Sequence, residues 1–308
     1  MKIPKTLAVG LSALAVASTS MAATFFDSSI TLQGKTIDLG NAGRVYKWSA
    51  LSTNGNVSSV TSIANEVNFD GNVGVWGSSS NLILTQSRIK GDLYIRQGAT
   101  PVLTSGSGYS GTKFQNAGTD AILSTAAANA TTLSSNIQAL TATTNFSLSG
   151  FTNNTPSALT KIIANNNGTG DNTALSNLVI NGTVNNPLNN PIVLKLTDFN
   201  LSDLNGGTGT QLTLVGTAAT KFIIDVSGQF GLGNSADIIL SGGLLASNVI
   251  FNARSTTGAS LTGASTLSGI VVANNGAFTA SGASIVSGMV VGKSIALSSS
   301  SKIKNVSP

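Results

Sequence analysis

The chain has 308 residues, of which 41% are hydrophobic and only 9% charged, with a formal net charge of +5 at pH 7 and neither cysteine nor histidine. Lacking cysteine it has no disulfides or thiolate chemistry, and lacking histidine it is without the commonest metal ligand and general base. Its positive balance reflects a scarcity of charges, not a basic patch, so the phosphate-tracking stripe that nucleic-acid binding requires is absent.

Residues 1–22 read as a secretory signal. Lys2 and Lys5 precede an apolar run over residues 7–16, and Ser20-Met21-Ala22 is a small-residue cleavage site. The run is too short to span a membrane. Cleavage near Ala22-Ala23 would leave a single domain over residues 23–308, secreted or at the cell surface. Its net charge would be +3, because Lys2 and Lys5 account for two of the five.

Residues 23–113 alternate short apolar segments with Gly, Asn and Ser turns, as β-strands do. A phrase recurs in which a glycine stands two positions after an apolar residue and opens an apolar alternation. It is FDGNVGV at residues 69–75 and IKGDLYI at 89–95, and it returns as LSGIVV at 267–272 and VSGMVV at 286–291. Looser copies are LQGKTIDL at 32–39 and INGTV at 180–184. Gly71 and Gly91 are 20 residues apart, and Gly269 and Gly288 are 19 apart. A period near 20 with one small strand per copy predicts stacked coils in which each glycine marks a tight corner.

The pattern breaks at residues 119–141. Leu123, Ala126, Ala130, Leu133, Ile137 and Leu140 recur at helical spacing, with Ser, Thr and Asn opposite. This predicts a helix over about 119–141, capped by Thr119 or Asp120 and stable only if its stripe is buried on the β body. Strands resume after it, with loop-like stretches at residues 165–172 and 203–210.

Residues 221–304 are the most regular. FIIDV, NVIFNA, GIVVAN and GMVVGK form one strand series; ADIILSG, ASLTGAS, GAFTASG and SIALSSS form a second. Two series advancing together predict a parallel β-solenoid with coils about 4.8 Å apart. If Leu240, Leu261, Phe278 and Leu297 point inward, then Ser241, Thr262, Thr279 and Ser298 form an outward hydroxyl ladder.

This order of strands, one Ala-rich helix and the closing run resembles the ice-binding-protein-like family, and is similar to choice-of-anchor type secreted bacterial surface proteins. The resemblance is strongest over residues 221–303: Phe222 and Ile224 of the first strand, N-V-x-F at 248–251, G-x-[IV]-[VL]-A at 269–273 and G-x-V-V at 288–291. It implies a mainly β fold, a discontinuous parallel β-solenoid with one long α-helix packed alongside, whose coils need not stack in sequence order. It also implies Thr-rich rows on a flat face, and Thr217-Ala218-Ala219-Thr220 and Thr141-Ala142-Thr143-Thr144 match that family pattern by letter.

Three functions are consistent with these features. The first is a secreted, non-enzymatic surface or matrix protein with an adhesive or structural role. The second is ice binding through the ladder Ser241, Thr262, Thr279 and Ser298. The third, a polysaccharide-active enzyme, needs a pair of carboxylates, yet Glu66 is the only glutamate and the nearest acidic pairs are Glu66 with Asp70 and Asp198 with Asp203. Asp198 and Asp203 also suit turn hydrogen bonding better than Ca²⁺. No catalytic residue, cofactor or metal is expected. The expected partner is an extended surface (ice, polysaccharide or matrix) or other matrix proteins, with no nucleic acid and no transmembrane segment in the mature chain.

Overall fold

A computed structural model describes residues 30–37, 48–61, 66–77, 80–165, 177–184, 186, 190–202 and 210–305. The signal segment, most of the loop-like stretches at 165–172 and 203–210, and Asp203 lie outside the described residues.

Short β-strands wind into a solenoid with three parallel faces, here called A, B and C. Face A stacks nine described strands in the order Ile162–Asn165, Phe199–Ser202, Phe230–Gly233, Ala259–Leu261, residues 277–280, residues 294–298, Val57–Val60, Leu82–Thr85 and Val102–Thr104. Face B runs from Asn177–Asn181 through Gln211–Val215 and Asp237–Ser241 to Glu66–Asp70 and Ser87–Lys90. Face C runs from Ile192–Leu196 through Phe222–Val226 and Val249–Ala253 to Trp48–Ser52, Asn72–Val75 and Leu93–Ile95. Two long strands, Thr266–Ala280 and Ile285–Ser298, each bend around more than one face.

The stacking is discontinuous, as expected. The C-terminal strand Ile285–Ser298 pairs in parallel with Trp48–Ser52 and Val57–Val60, so the first coils of the sequence lie in the middle of the stack. From there the chain descends to one end at Lys113–Phe114, crosses to the other end and winds back to the seam. The crossing is made by the helix, Ala117–Gln138. At 1.5 Å per residue it is about 33 Å long, close to the ~38 Å spanned by nine strands. The long helix is therefore the stroke that returns the chain along the stack.

It starts two residues earlier than expected and its cap is Asn116, whose Oδ1 accepts from Thr119 N at 2.9 Å. Asp120 does not cap it; its carboxylate accepts from Gln97 N at 2.7 Å and ties the helix start to the solenoid. Leu123, Ala130, Leu133 and Ile137 are buried against Val193, Ile223, Ile250, Val272 and Val291 of face C, so the predicted stripe is the docking face. The hairpin Ile30–Leu32 and Lys35–Ile37 is antiparallel and, among the described residues, pairs with no solenoid strand. Gln33 exchanges two hydrogen bonds with Thr141 just past the helix (3.1 and 2.7 Å).

The repeated glycines do form corners. Gly71, Gly91, Gly269 and Gly288 all have φ between +131° and +158° and turn the chain from face B to face C. They also stack: a Cβ on Gly288 would lie 1.9 Å from Gly269 O, and one on Gly91 would lie 2.5 Å from Gly71 C. The looser copies differ, since Gly34 turns the separate hairpin and Gly182 lacks the positive φ. Gly288→Ala must break the close approach and also adopt a strained backbone. It is expected to cost at least ~2 kcal/mol, read from chemical denaturation.

At the seam, Lys302 Nζ lies 2.9 Å from Glu66 Oε1, and Thr61 Oγ1 donates to Glu66 Oε2 at 2.7 Å. Burial pushes the Glu66 carboxyl up, but hydrogen bonds from Thr61, Lys302 and Ser300 and the Lys302 charge outweigh it and hold the pKa below its ordinary value. A lowered carboxyl pKa stabilises the fold above its unfolded value, and that contribution is lost as pH falls through the folded one. Wild type should therefore lose stability below about pH 4.3 more steeply than Glu66→Gln, in thermal melts between pH 6 and 2.5.

Candidate functional site

The three faces differ in what they offer. Face C is covered where the helix docks, and at its centre Asp225 is fully buried. Lys195, Asp225 and Asn252 stack in register on adjacent strands. Asp225 Oδ2 accepts from Lys195 Nζ at 2.8 Å, and Oδ1 from Arg254 Nε at 3.0 Å and Asn252 Nδ2 at 2.8 Å. Lys195 Nζ also donates to Ile137 O (2.7 Å) and Gln138 O (2.9 Å), carbonyls of the last helical turn. The cluster is a clasp between helix and solenoid.

Face B carries charge over much of its length. Asp237, Lys302, Lys304, Glu66, Asp70, Arg88 and Lys90 all lie on its strands. Its exposed pair, Lys90 and Asp70, is 3.5 Å apart.

Face A has no charged residue on any of its nine described strands. Strand alternation sends Phe199, Phe230, Phe278, Ile295, Val57 and Leu82 into the core. Two rows remain outside. One runs Ile163, Asn200, Gly231, Ser260, Thr279, Ala296, Ser58, Ile83 and Val102; the other includes Ser202, Gly233, Thr262, Ser281, Ser298, Val60, Thr85 and Thr104. Parallel pairing places successive members about 4.8 Å apart. The result is a patterned sheet surface of methyl, hydroxyl and amide groups.

The expected ladder is divided by this register. Thr279 pairs with Ser260 and Ala296, so it belongs to the first row. Leu261 pairs with Ala280 and Ala280 with Leu297, which puts Thr262 and Ser298 together in the second row. Ser241 ends a strand of face B and joins neither. The misalignment has a packing cause. Inside the core Phe278 stands beside Ala259 and Ile295, while Ala280 stands beside Leu261 and Leu297. Small and large side chains exchange places between coils, so aligning large residues by eye shifts the strand by two.

The Thr-Ala-x-Thr matches are turn residues. Thr220 is buried and its Oγ1 accepts from Thr217 N at 3.0 Å; Thr143 Oγ1 accepts from Val193 N at 3.0 Å. Asp198 accepts from Gln229 N at 2.9 Å, a backbone hydrogen bond to a residue 31 positions on and not the local turn bond expected of it. Trp48 is buried with its ring edge-on to Tyr94 at 5.1 Å. Among the described residues no group of three His, Cys, Asp or Glu side chains is placed to hold a metal, and no helix is long and apolar enough to cross a membrane.

Sequence reasoning missed the trough in face A. Gly231 and Gly233 leave a gap of roughly 360 Å³ between Asn200 and Ser202 on one side and Ser260 and Thr262 on the other. Phe230–Gly233 belongs to neither strand series read from the sequence, and its missing outward side chains were the available signal.

The solved structures place this architecture. An ice-binding protein from an Antarctic biological consortium superposes with a TM-score of 0.52 at 16% identity, over 89% of this chain and 93% of that one. The chain has an ice-binding-protein-like fold. Ice-binding proteins from the Antarctic ascomycete Antarctomyces psychrotrophicus (TM-score 0.49, 19% identity, 88% of this chain and 99% of that one) and from an Arctic yeast (0.47, 15%, 85% and 92%) are also similar. No family model and no curated protein matches the sequence.

Proposed function

We propose that this is a secreted, non-enzymatic protein that lays face A on an extended ordered surface, and that the surface is ice. The observation carrying this reading is the run of nine described strands without one outward charge, beside a face B that is charged. Ice offers no counter-ion and no deep pocket. A face that binds it must surrender its hydration cheaply, which small hydroxyl and methyl groups do and charges do not. Regular strand spacing supplies a repeat along the solenoid axis, and the ice-binding-like fold supports the reading.

Purified residues 23–308 are expected to shape growing ice crystals and to show thermal hysteresis in a nanolitre osmometer. Round, unshaped crystals at millimolar protein, together with retention in the extracellular matrix, would replace ice with the adhesive role.

A further inference from the structure

We propose that the trough on face A is a binding site for a neutral, unbranched glycan segment. Its floor is Gly231 and Gly233, and its walls and ends carry six uncharged polar side chains: Asn200, Ser202, Gln229, Asn234, Ser260 and Thr262.

Two observations set it apart from an ordinary surface dip. First, the backbone does not require the glycines. Unlike the corner glycines, neither has a positive φ, and a Cβ would find its nearest neighbours at 3.4 Å (Ser260 Oγ) and 3.3 Å (Thr262 Oγ1), both ends of side chains. The gap is thus an omission of side chains at two positions that would accept them. Second, none of the six polar side chains forms a hydrogen bond within the described protein, although their neighbours Asp198, Thr210, Asp237 and Ser265 all do. Asn200 Oδ1 and Ser260 Oγ face each other across Gly231, and Ser202 Oγ and Thr262 Oγ1 across Gly233.

The chemistry of the ligand follows from the inventory. Amides and hydroxyls both donate and accept, which matches sugar hydroxyls, while the absence of lysine, arginine and carboxylate removes any preference for an ionised chain. The trough follows the strand from Gln229 to Asn234, about 16 Å at 3.3 Å per residue, so it suits an extended chain better than a single ring.

The test uses ¹⁵N-labelled residues 23–308 titrated with the neutral hexasaccharides of glucose, xylose and mannose. At least one is expected to shift the amide resonances of Asn200, Gln229, Gly231, Gly233 and Asn234. The double variant Gly231→Thr with Gly233→Thr fills the trough, and should lose those shifts while keeping its melting temperature. No shift with any of the three sugars, shifts located elsewhere, or undiminished shifts in the filled variant would overturn the proposal. The shifts are read in solution without ice, so the glycan site and the ice reading can fail independently.

Discussion

Asp225→Ala is expected to lower the unfolding free energy by about 3–5 kcal/mol, measured by urea or guanidinium denaturation of residues 23–308. Asp225 is fully buried, and its two oxygens compensate Lys195 and Arg254, whose side chains are each only 25% exposed. Removing the carboxylate leaves two cations short of a partner in a site they cannot readily leave. Lys195 is held there additionally by Ile137 O and Gln138 O. Asp225→Asn should fall between wild type and alanine, since it keeps the volume and an acceptor for Asn252 but not the charge. The exposed pair Lys90–Asp70 provides the contrast: with side chains 68% and 42% exposed, Asp70→Ala should change stability by less than ~1 kcal/mol. A local reading is available too. Hydrogen exchange at the helix C-terminus, residues 134–138, should quicken more in Asp225→Ala than at the helix start, where Asn116 and Asp120 still hold. Uniform loss of protection along the helix would show that the clasp does not act there.

None of this clasp was visible in the sequence, although most of the scaffold was. The face C series FIIDV, NVIFNA, GIVVAN and GMVVGK aligned correctly, because large apolar residues hold two central positions on all four strands: Ile223, Ile250, Ile270 and Met289 in one, Ile224, Phe251, Val271 and Val290 in the other. The corner glycines were legible for a similar reason: the close stacking of Gly71 with Gly91 and Gly269 with Gly288 admits no side chain, so the residue type repeats with the coil. The helix showed through its spacing, but its start did not, since Asn116 reaches forward to Thr119 from outside the apolar stripe. Lys195, Asp225 and Asn252 are 30 and 27 residues apart and meet only through parallel register. Loop lengths between coils vary, so no fixed period brings them together. The same variation hid the outward rows of face A, and it put Ser241, which the letters align with Thr262, on another face altogether.

Thr279 and Ser241 should therefore respond oppositely to the same substitution. Thr279 stands on the fifth of the nine face A strands, between Ser260 and Ala296, and its side chain is exposed. In Thr279→Lys an ammonium and its hydration shell would occupy the middle of a face that otherwise carries no charge. Bringing that face against ice would require stripping an unpaired charge of water, at a cost of several kcal/mol, so thermal hysteresis at equal concentration should fall about tenfold or more. Because the residue points outward, stability should change by no more than about 0.5 kcal/mol, which separates lost contact from lost fold. Ser241→Lys places the same charge at the end of a strand of face B, the face whose strands carry Asp237, Lys302 and Lys304, and should leave ice activity unchanged. Thr104→Lys sits on the last described strand of face A, about 19 Å from Thr279 at ~4.8 Å per strand, and should reduce activity without abolishing it. Loss in Ser241→Lys with retention in Thr279→Lys would move the contact surface to face B. A graded loss that deepens toward the centre of face A is the pattern expected when one rigid sheet must meet one flat lattice, because a central obstruction lifts every row while a terminal one lifts only its own end.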